Sequence, residues 1–248
     1  MVIKGMKLES EKSAILRYYS TRIQGSCKGF RRGIISLLRS HGIRADKMLD
    51  AGGASGSFTL SIAEVVGAKE IWIADISESA LQRAKEKGKG INIVRVDLSN
   101  EKLPFPSESF DLVSAIDLME HLINPDHFLS ETHRILRKKG FFVLTTPNLA
   151  FWVNRLILLL GYQPLMSEPS TKFAAGYLFV PQGFQPAGHI RLFTLRALED
   201  LLKANGFSIV AKKGLRGDVK NLFLRALDQL LSTRTSLAMG LGILAQKI

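Results

Sequence analysis

Residues 47–65, KMLDAGGASGSFTLSIAEV, pass in one stretch from a β-rich run through a glycine-rich turn into a segment with helical spacing. Lys47–Ala51 has the length and apolar content of a buried strand, and Phe58–Val65 carries apolar side chains at helical intervals. Between them stand Gly52, Gly53, Ala54, Ser55 and Gly56. Glycine lacks a Cβ, so the turn can adopt positive φ and let a ligand lie against the backbone. The free N–H groups at the start of the following helix favour a carboxylate or phosphate. A strand, glycine turn and helix in this order predict a charged cofactor at the carboxyl end of the first strand of a parallel sheet. Taken alone, the same loop also suits a nucleotide oxidoreductase or a plain tight turn.

Working outward, β-rich runs recur at Glu70–Asp75, Ile91–Asp97, Phe110–Ile116 and Phe141–Thr145, with helical segments in the intervals. This alternation predicts a doubly wound α/β domain with a mostly parallel sheet. Capping residues support it independently. Ser77 caps a helix stopped by Gly88, Asn124 and Pro125 open one that ends before Gly140, and Thr194 opens one that ends near Asn205 and Gly206. Phe207–Ala211 and Leu237–Ile248 are expected as further strands, with a helix over Asn221–Leu231. Residues 8–40 show helical spacing among many basic side chains, so residues 1–46 are expected as a helical cap on a domain spanning 47–248. Residues 149–188 break the rhythm. An apolar helix-like start at Phe151–Leu160 precedes Pro164, Pro169, Gly176, Pro181, Gly183, Pro186 and Gly188, which marks a lid-like insertion over the carboxyl edge of the sheet.

The chain has 248 residues, 46% of them hydrophobic and 23% charged, which is ordinary for one folded domain with one sizeable core. Its 34 basic and 22 acidic side chains give a net charge of +12, attractive to nucleic acid, anionic lipid or an acidic small molecule, but the basic groups are dispersed along the chain. Cys27 stands alone, so an internal disulfide and a cysteine metal cluster are excluded, and no metal is expected. The longest apolar runs, near Leu156–Leu160 and Leu237–Leu244, fall short of the roughly 20 residues that span a bilayer. With Lys4, Lys7, Glu9 and Glu11 at the start there is no secretory signal pattern, and the expected location is the cytoplasm.

Two more acids follow strand ends. Asp75 stands about 25 residues after the glycine turn, where a carboxylate accepts hydrogen bonds from both ribose hydroxyls of an adenosine cofactor, with Ile76 beside it for the adenine face. Asp97 with Leu98 is placed to accept from the adenine amino group and pack on the ring. Each also has the plain reading of a turn or helix cap.

With these residues on view, the chain from 47 to 148 resembles the class I S-adenosylmethionine-dependent methyltransferases. It is similar in particular to the small-molecule group that includes ubiquinone and menaquinone biosynthesis enzymes, the methyltransferase type 11 group. The marks are LDAGGASGS, IADISESAL, the long run VDLSNEKLPFPSESFDLVSAIDLMEHLINPDHFLSETHRILRKKGFFVLTTPN, and a closing strand pair expected to be antiparallel. The resemblance implies a Rossmann-like fold with a seven-stranded, mostly parallel sheet whose strand 7 is antiparallel, with helices on both faces. It implies S-adenosylmethionine as cofactor and S-adenosylhomocysteine as product. Asp50, Gly52 and Gly56 would shape the methionine side, with Gly53 adjoining; Asp75 would hold the ribose; Asp97 and Leu98 would meet adenine; Ile116 and Asp117 would line the cofactor after the fourth strand. Ala54 stands where the family's glycine series usually has its second glycine, and Lys138, Lys139, Gly140 and Phe141 replace its usual Lys-Pro-Gly-Gly turn.

Methyl transfer from a sulfonium is an in-line displacement at an activated carbon, so the protein mainly aligns the nucleophile about 3 Å away and excludes water. A hydroxyl acceptor gains from a base that titrates near neutrality. Of the five histidines, His189 in GHIRLFT follows the insertion and is the candidate base or acceptor ligand, with a structural hydrogen bond as the plain alternative. Arg191 is the candidate clamp for an acidic acceptor, or a surface ion-pair partner. His121 is expected to be architectural, and His127 and His133 surface or packing residues. Tyr18 and Tyr19 are candidates to close over the cofactor. The expected reaction is methyl transfer to a small-molecule acceptor, acidic or lipophilic, at oxygen. An RNA acceptor favoured by charge, and a non-catalytic cofactor-binding module, stand as alternatives. A short-chain dehydrogenase is the sharpest enzyme rival, but none of Tyr18, Tyr19, Tyr162 or Tyr177 has a lysine four residues on. The insertion suits a lid, a dimer contact or a membrane-facing surface.

Overall fold

The structure, a computed structural model, describes residues 28–88, 90–180, 186–217 and 221–248. Tyr18, Tyr19 and Cys27 lie outside the described residues. In chain order the elements are α1 (Lys28–Ser40), β1 (Lys47–Ala51), α2 (Thr59–Val66), β2 (Glu70–Asp75), α3 (Glu78–Lys87), β3 (Ile91–Arg95), β4 (Phe110–Ile116), α4 (Pro125–Ile135) and β5 (Leu136–Pro147). They continue with α5 (Trp152–Leu159), α6 (Leu195–Ala204), β6 (Phe207–Leu215), α7 (Leu222–Leu231) and β7 (Gly240–Lys247), with short 3-10 turns at Met119–His121 and Thr235–Leu237. The seven strands form one sheet in the order β3-β2-β1-β4-β5-β7-β6. The pairs among β1 to β5 are parallel, whereas β7 runs antiparallel to both β5 and β6. The expected α/β architecture with an antiparallel seventh strand is the one observed.

The period of two along each strand divides the core between the faces of the sheet. Met48, Leu112, Val143 and Leu244 share one buried cluster with Ile34, Leu37 and Leu38 of α1 and Ile62 and Val66 of α2. Their neighbours Leu49, Val113, Phe142, Leu144 and Ile243 point into a second cluster with Phe128 and Leu129 of α4 and Leu198 and Leu202 of α6. Side chains buried this completely contribute about 1.5–3 kcal/mol each, so both faces are needed. The capping signals are realised: the Ser77, Asn124 and Thr194 side chains accept from the N–H groups of Ala80, His127 and Ala197.

Four strand bounds differ from expectation. β3 stops at Arg95 because the Asp97 carboxylate folds back onto the Ser99 N–H and the Asn100 amide, which turns the backbone out of the sheet. β5 begins at Leu136, which pairs with Phe110 before the register slips between Phe110 and Leu112, and Lys139 takes φ +61° within it. β6 continues to Leu215 because β7 pairs with it along its whole length, despite the charged Lys212 and Lys213. β7 starts at Gly240, after the 3-10 turn.

The insertion leaves and returns at one point. Asn148 and Phe193 form a parallel bridge, and the Leu149 N–H donates to the Phe193 carbonyl at 2.9 Å. Inside it, the buried Asn154 amide donates to the carbonyls of Asn148, Leu149 and Leu165 and accepts from the Leu165 N–H at 2.9 Å. Trp152 Nε1 donates to the buried Asp228 at 3.0 Å, tying α5 to α7.

Candidate active site

The turn after β1 is built by its glycines. Gly52 takes φ +71° and donates to the Ala74 carbonyl at 2.7 Å, and a Cβ on it would lie 2.9 Å from Leu118 Cδ1. Gly56 takes φ +70°, and a Cβ there would meet Ile73 Cδ1 at 3.0 Å. Gly53 lies against the Asp50 carboxylate, whose Oδ2 would be 2.8 Å from an added Cβ. Ala54 also occupies the left-handed region, at φ +45°, and its N–H donates to Asp75 Oδ2 at 3.0 Å. The alanine here thus holds a left-handed backbone, at a cost of roughly 1–2 kcal/mol for an L side chain.

Asp50 is buried at 3% exposure. Its carboxylate accepts from the Ser114 hydroxyl at 2.7 Å and from the Thr59 hydroxyl. Burial pushes it up to about 6, against the two hydroxyl donors and aided by the nearby Asp75 charge. Asp75 is likewise held above the usual carboxylate range by burial, with backbone donors Ser77 and Ala54 opposing. One of its oxygens accepts from Ala54 and the other from Ser77 at 2.9 Å, and the Ile76 N–H also acts on the carboxylate, which leaves capacity among its four lone-pair sites for a further donor. Ile76 is half-buried beside it. Asp97 is engaged by Ser99 and Asn100, and Leu98 is buried at 6% exposure. Asp117 takes φ +52°, donates its N–H to Thr145 Oγ1 at 2.9 Å and accepts from the same hydroxyl at 2.6 Å, and half-buried Ile116 ends β4 beside it. The topology thus brings Asp50, the glycine turn, Asp75, Ile76, Ile116 and Asp117 to the carboxyl ends of the three adjacent strands β2, β1 and β4.

A second group of residues meets these after β4. Glu120 lies in the Met119–His121 turn, entirely buried, and neither carboxylate oxygen has a hydrogen-bond partner among the described residues. The Glu120 N–H and the Thr146 hydroxyl are near enough as donors to oppose the rise of its pKa, but neither meets the geometry of a formed hydrogen bond. Burial first, then the Asp117 charge, drives the Glu120 carboxyl well above its ordinary range. His121 Nδ1 lies 3.1 Å from the Gly188 carbonyl, and burial followed by the neighbouring His189 lowers its pKa to about 4, so the ring is neutral at physiological pH.

His189 stands against it, with ring centroids 4.9 Å apart, and its Nδ1 lies 2.9 Å from the Met166 carbonyl. The glutamate that arranges this segment is Glu168, whose carboxylate accepts from the N–H groups of Ala187 at 2.6 Å, Gly188 at 2.6 Å and His189 at 3.1 Å. From the other side, the Glu120 carbonyl accepts from the Ile190 and Arg191 N–H groups at 2.9 and 3.3 Å. Arg191 donates a guanidinium N–H to the Ile123 carbonyl at 2.7 Å, spanning the turn that carries Glu120 rather than following His189 toward Met166. His127 Nε2 lies 3.0 Å from the Glu101 carbonyl, and the His133 ring packs edge-on to Phe207, away from this group. Glu120 and Glu168 are not among the residues expected from the sequence. Glu120 adjoins a noted histidine, but Glu168 sits in an irregular Pro-flanked stretch with no signal of its own.

A family profile described as "Methyltransferase domain" matches residues 24–212. Among curated proteins, the chain is 29% identical over 163 residues to a ubiquinone/menaquinone biosynthesis C-methyltransferase of Psychromonas ingrahamii, covering 64% of this chain and 54% of the relative. It is 32% identical over 112 residues to a chloroplastic 2-methyl-6-phytyl-1,4-hydroquinone methyltransferase of Oryza sativa, covering 44% of this chain and 32% of that protein. The chain thus spans about half or less of the length of these relatives. Among solved structures, an S-adenosylmethionine-dependent methyltransferase from Mesorhizobium loti superposes with a TM-score of 0.59 at 19% identity, over 88% of this chain and 98% of the other, which shows a shared fold. Because the family match takes in the glycine turn, the Glu120 turn and the insertion alike, the chain belongs to the methyltransferase domain family and carries the domain of an S-adenosylmethionine-dependent methyltransferase.

Proposed function

We propose that the chain transfers the methyl group of S-adenosylmethionine to the oxygen of a small, hydroxylated, lipophilic acceptor seated beside His121 and His189. The observation that carries this reading is the histidine pair itself, one from the turn after β4 and one from the residue that follows the insertion. In this reading Asp50, Gly52, Gly53 and Gly56 form the methionine side, Asp75 and Ile76 take the ribose and adenine, Asp97 and Leu98 flank the adenine, and Ile116 and Asp117 line the cofactor. His189 takes the acceptor proton or orients its oxygen. Arg191 serves the acceptor through its hold on the Ile123 carbonyl, and residues 149–188 act as a lid. The oxygen lone pair forms the new O–C bond as the C–S bond breaks, and the electron pair returns to sulfur.

A lipophilic acceptor is supported by the apolar side chains that the insertion leaves exposed, among them Leu159, Phe173 and Phe179. Carbon rather than oxygen attack is a second reading, favoured by the hydroquinone and quinone C-methyltransferase names of the relatives. Those names also weigh against an RNA acceptor. The decisive experiment pairs calorimetry with product analysis. S-adenosylhomocysteine is expected to bind and NAD and NADP not to, with Asp75→Ala lowering the affinity tenfold or more through loss of a charge-assisted ribose hydrogen bond of about 1.5–3 kcal/mol. Unchanged affinity in that variant overturns the ribose assignment. A hydroquinone panel incubated with methyl-labelled S-adenosylmethionine then separates O-methyl from C-methyl products by fragmentation in mass spectrometry.

A further inference from the structure

We propose that Glu120, His121 and His189 form a binding site for one divalent transition-metal ion of the zinc type, with a coordination position left for the acceptor oxygen. The last clause rests on the methyl-transfer reading above; the metal site does not.

One ligand atom from each of the three side chains lies within 4.8 Å of those of the other two. Zinc-bound nitrogen and oxygen atoms stand at about 2.0–2.2 Å from the ion, so small side-chain rotations close this set around a metal. The two imidazoles are oriented as metal ligands are. The Nδ1 atoms of His121 and His189 face the backbone carbonyls of Gly188 and Met166, a contact that keeps the proton on Nδ1 and the lone pair on Nε2.

Glu120 supplies the independent observation. Its side chain is fully buried, and both oxygens have no hydrogen-bond partner among the described residues. An unpaired buried carboxyl is costly in either protonation state, and a cation between it and two imidazoles removes that cost. Two nitrogens and one oxygen select a borderline transition metal over magnesium or calcium, which favour all-oxygen shells.

The scaffold around the three is rigid where a metal site needs rigidity. The Ile190 N–H bond to the Glu120 carbonyl at 2.9 Å ties the two ligand-bearing segments together. Glu168 fixes the backbone of Ala187, Gly188 and His189, and its carboxylate lies 3.8 Å from His189 Nδ1. Three protein ligands with a fourth position open is the pattern of catalytic rather than structural zinc. An acceptor hydroxyl entering that position would lose its proton to solvent more readily, so that His189 orients the acceptor oxygen through the ion instead of taking its proton, and the oxygen lone pair would then attack the methyl carbon as the C–S pair returns to sulfur.

The test uses the full chain without an affinity tag, dialysed against a chelator. Zn2+ alone is titrated into it calorimetrically, Co2+ is added in parallel for its visible absorption, and S-adenosylhomocysteine is titrated separately. The expected result is saturable binding of one Zn2+ per chain. Glu120→Gln, His121→Ala and His189→Ala should each weaken it tenfold or more, and the Co2+ spectrum should change in each. Wild-type protein that is folded but shows no saturable Zn2+ binding overturns the site, as does binding equal to wild type in all three variants. Where Glu120→Gln fails to fold, the wild-type titration and His189→Ala decide. Metal binding without S-adenosylhomocysteine binding would overturn the methyl-transfer reading and keep the site; the converse would remove the site alone.

Discussion

Asp50 is a residue at which burial and ionisation are at odds. Its carboxyl is pushed from 3.8 up to about 6, chiefly by burial. Between those two values the unfolded chain is ionised while the folded chain keeps its proton, so stability falls as pH rises through that window. Above it, the penalty is constant at about 3 kcal/mol, an order-of-magnitude figure. Asp50→Asn removes the ionisation while the Thr59 and Ser114 hydroxyls rotate to meet the amide. The variant is expected to be more stable than wild type in urea unfolding at pH 7.5, with the advantage disappearing near pH 4, and to lose affinity for S-adenosylhomocysteine. An advantage of equal size at both pH values would trace it to packing rather than ionisation. The acid itself was legible as the last polar residue of a buried run. Its partners were not, because Ser114 reaches it only through the pairing of β1 with β4, across 64 positions of sequence. Asp97, by contrast, was readable as a turn residue after a strand, and its bonds to Ser99 and Asn100 are that turn.

Elements whose signals are local came through in the sequence, and those defined by a distant partner did not. Ser77, Asn124 and Thr194 begin their helices where a short polar side chain can reach an N–H three residues on, a contact that needs nothing from elsewhere. The bounds of β1, β2 and β4 follow from continuous apolar runs. By contrast, the first residues of β5 and the last of β6 are strand only because Phe110 and β7 pair with them. The insertion is the extreme case: its Pro and Gly content marked it as irregular, yet nothing local announced that Glu168 would gather three N–H groups of the segment carrying His189. Such charge-assisted bonds contribute about 1.5–3 kcal/mol each. In Glu168→Ala, hydrogen exchange over residues 186–190 is therefore expected to accelerate by tenfold or more while the peptides of β1 and β4 keep their protection. Unchanged exchange would mean that the Ile190 and Arg191 bonds to the Glu120 carbonyl hold this segment unaided.

At the scale of the whole molecule, the glycine turn proposed to hold the cofactor continues an interior strand of the sheet, and this couples binding to global stability. β1 lies between β2 and β4 and carries core on both faces, with Met48 and Leu49 pointing into opposite clusters. The glycine turn is anchored to β2 through the Ala74 carbonyl and the Asp75 carboxylate, so the turn cannot open without disturbing strands buried on both sides. A ligand that binds only the folded state adds about 2.7 kcal/mol at a concentration one hundred times its Kd. A domain of this length gains roughly 2–4 °C in Tm per kcal/mol, so saturating S-adenosylhomocysteine should raise Tm by about 5–11 °C. Calorimetric scans with and without the ligand check this, and NAD at the same concentration should give no rise. A much smaller rise at confirmed saturation would show that the cofactor loops open below the temperature at which the sheet melts. In that event the stability of the glycine turn would have to come from its own hydrogen bonds, and replacing Ala54 by glycine, which relieves its positive φ, would shift ligand affinity without moving the Tm of the free protein.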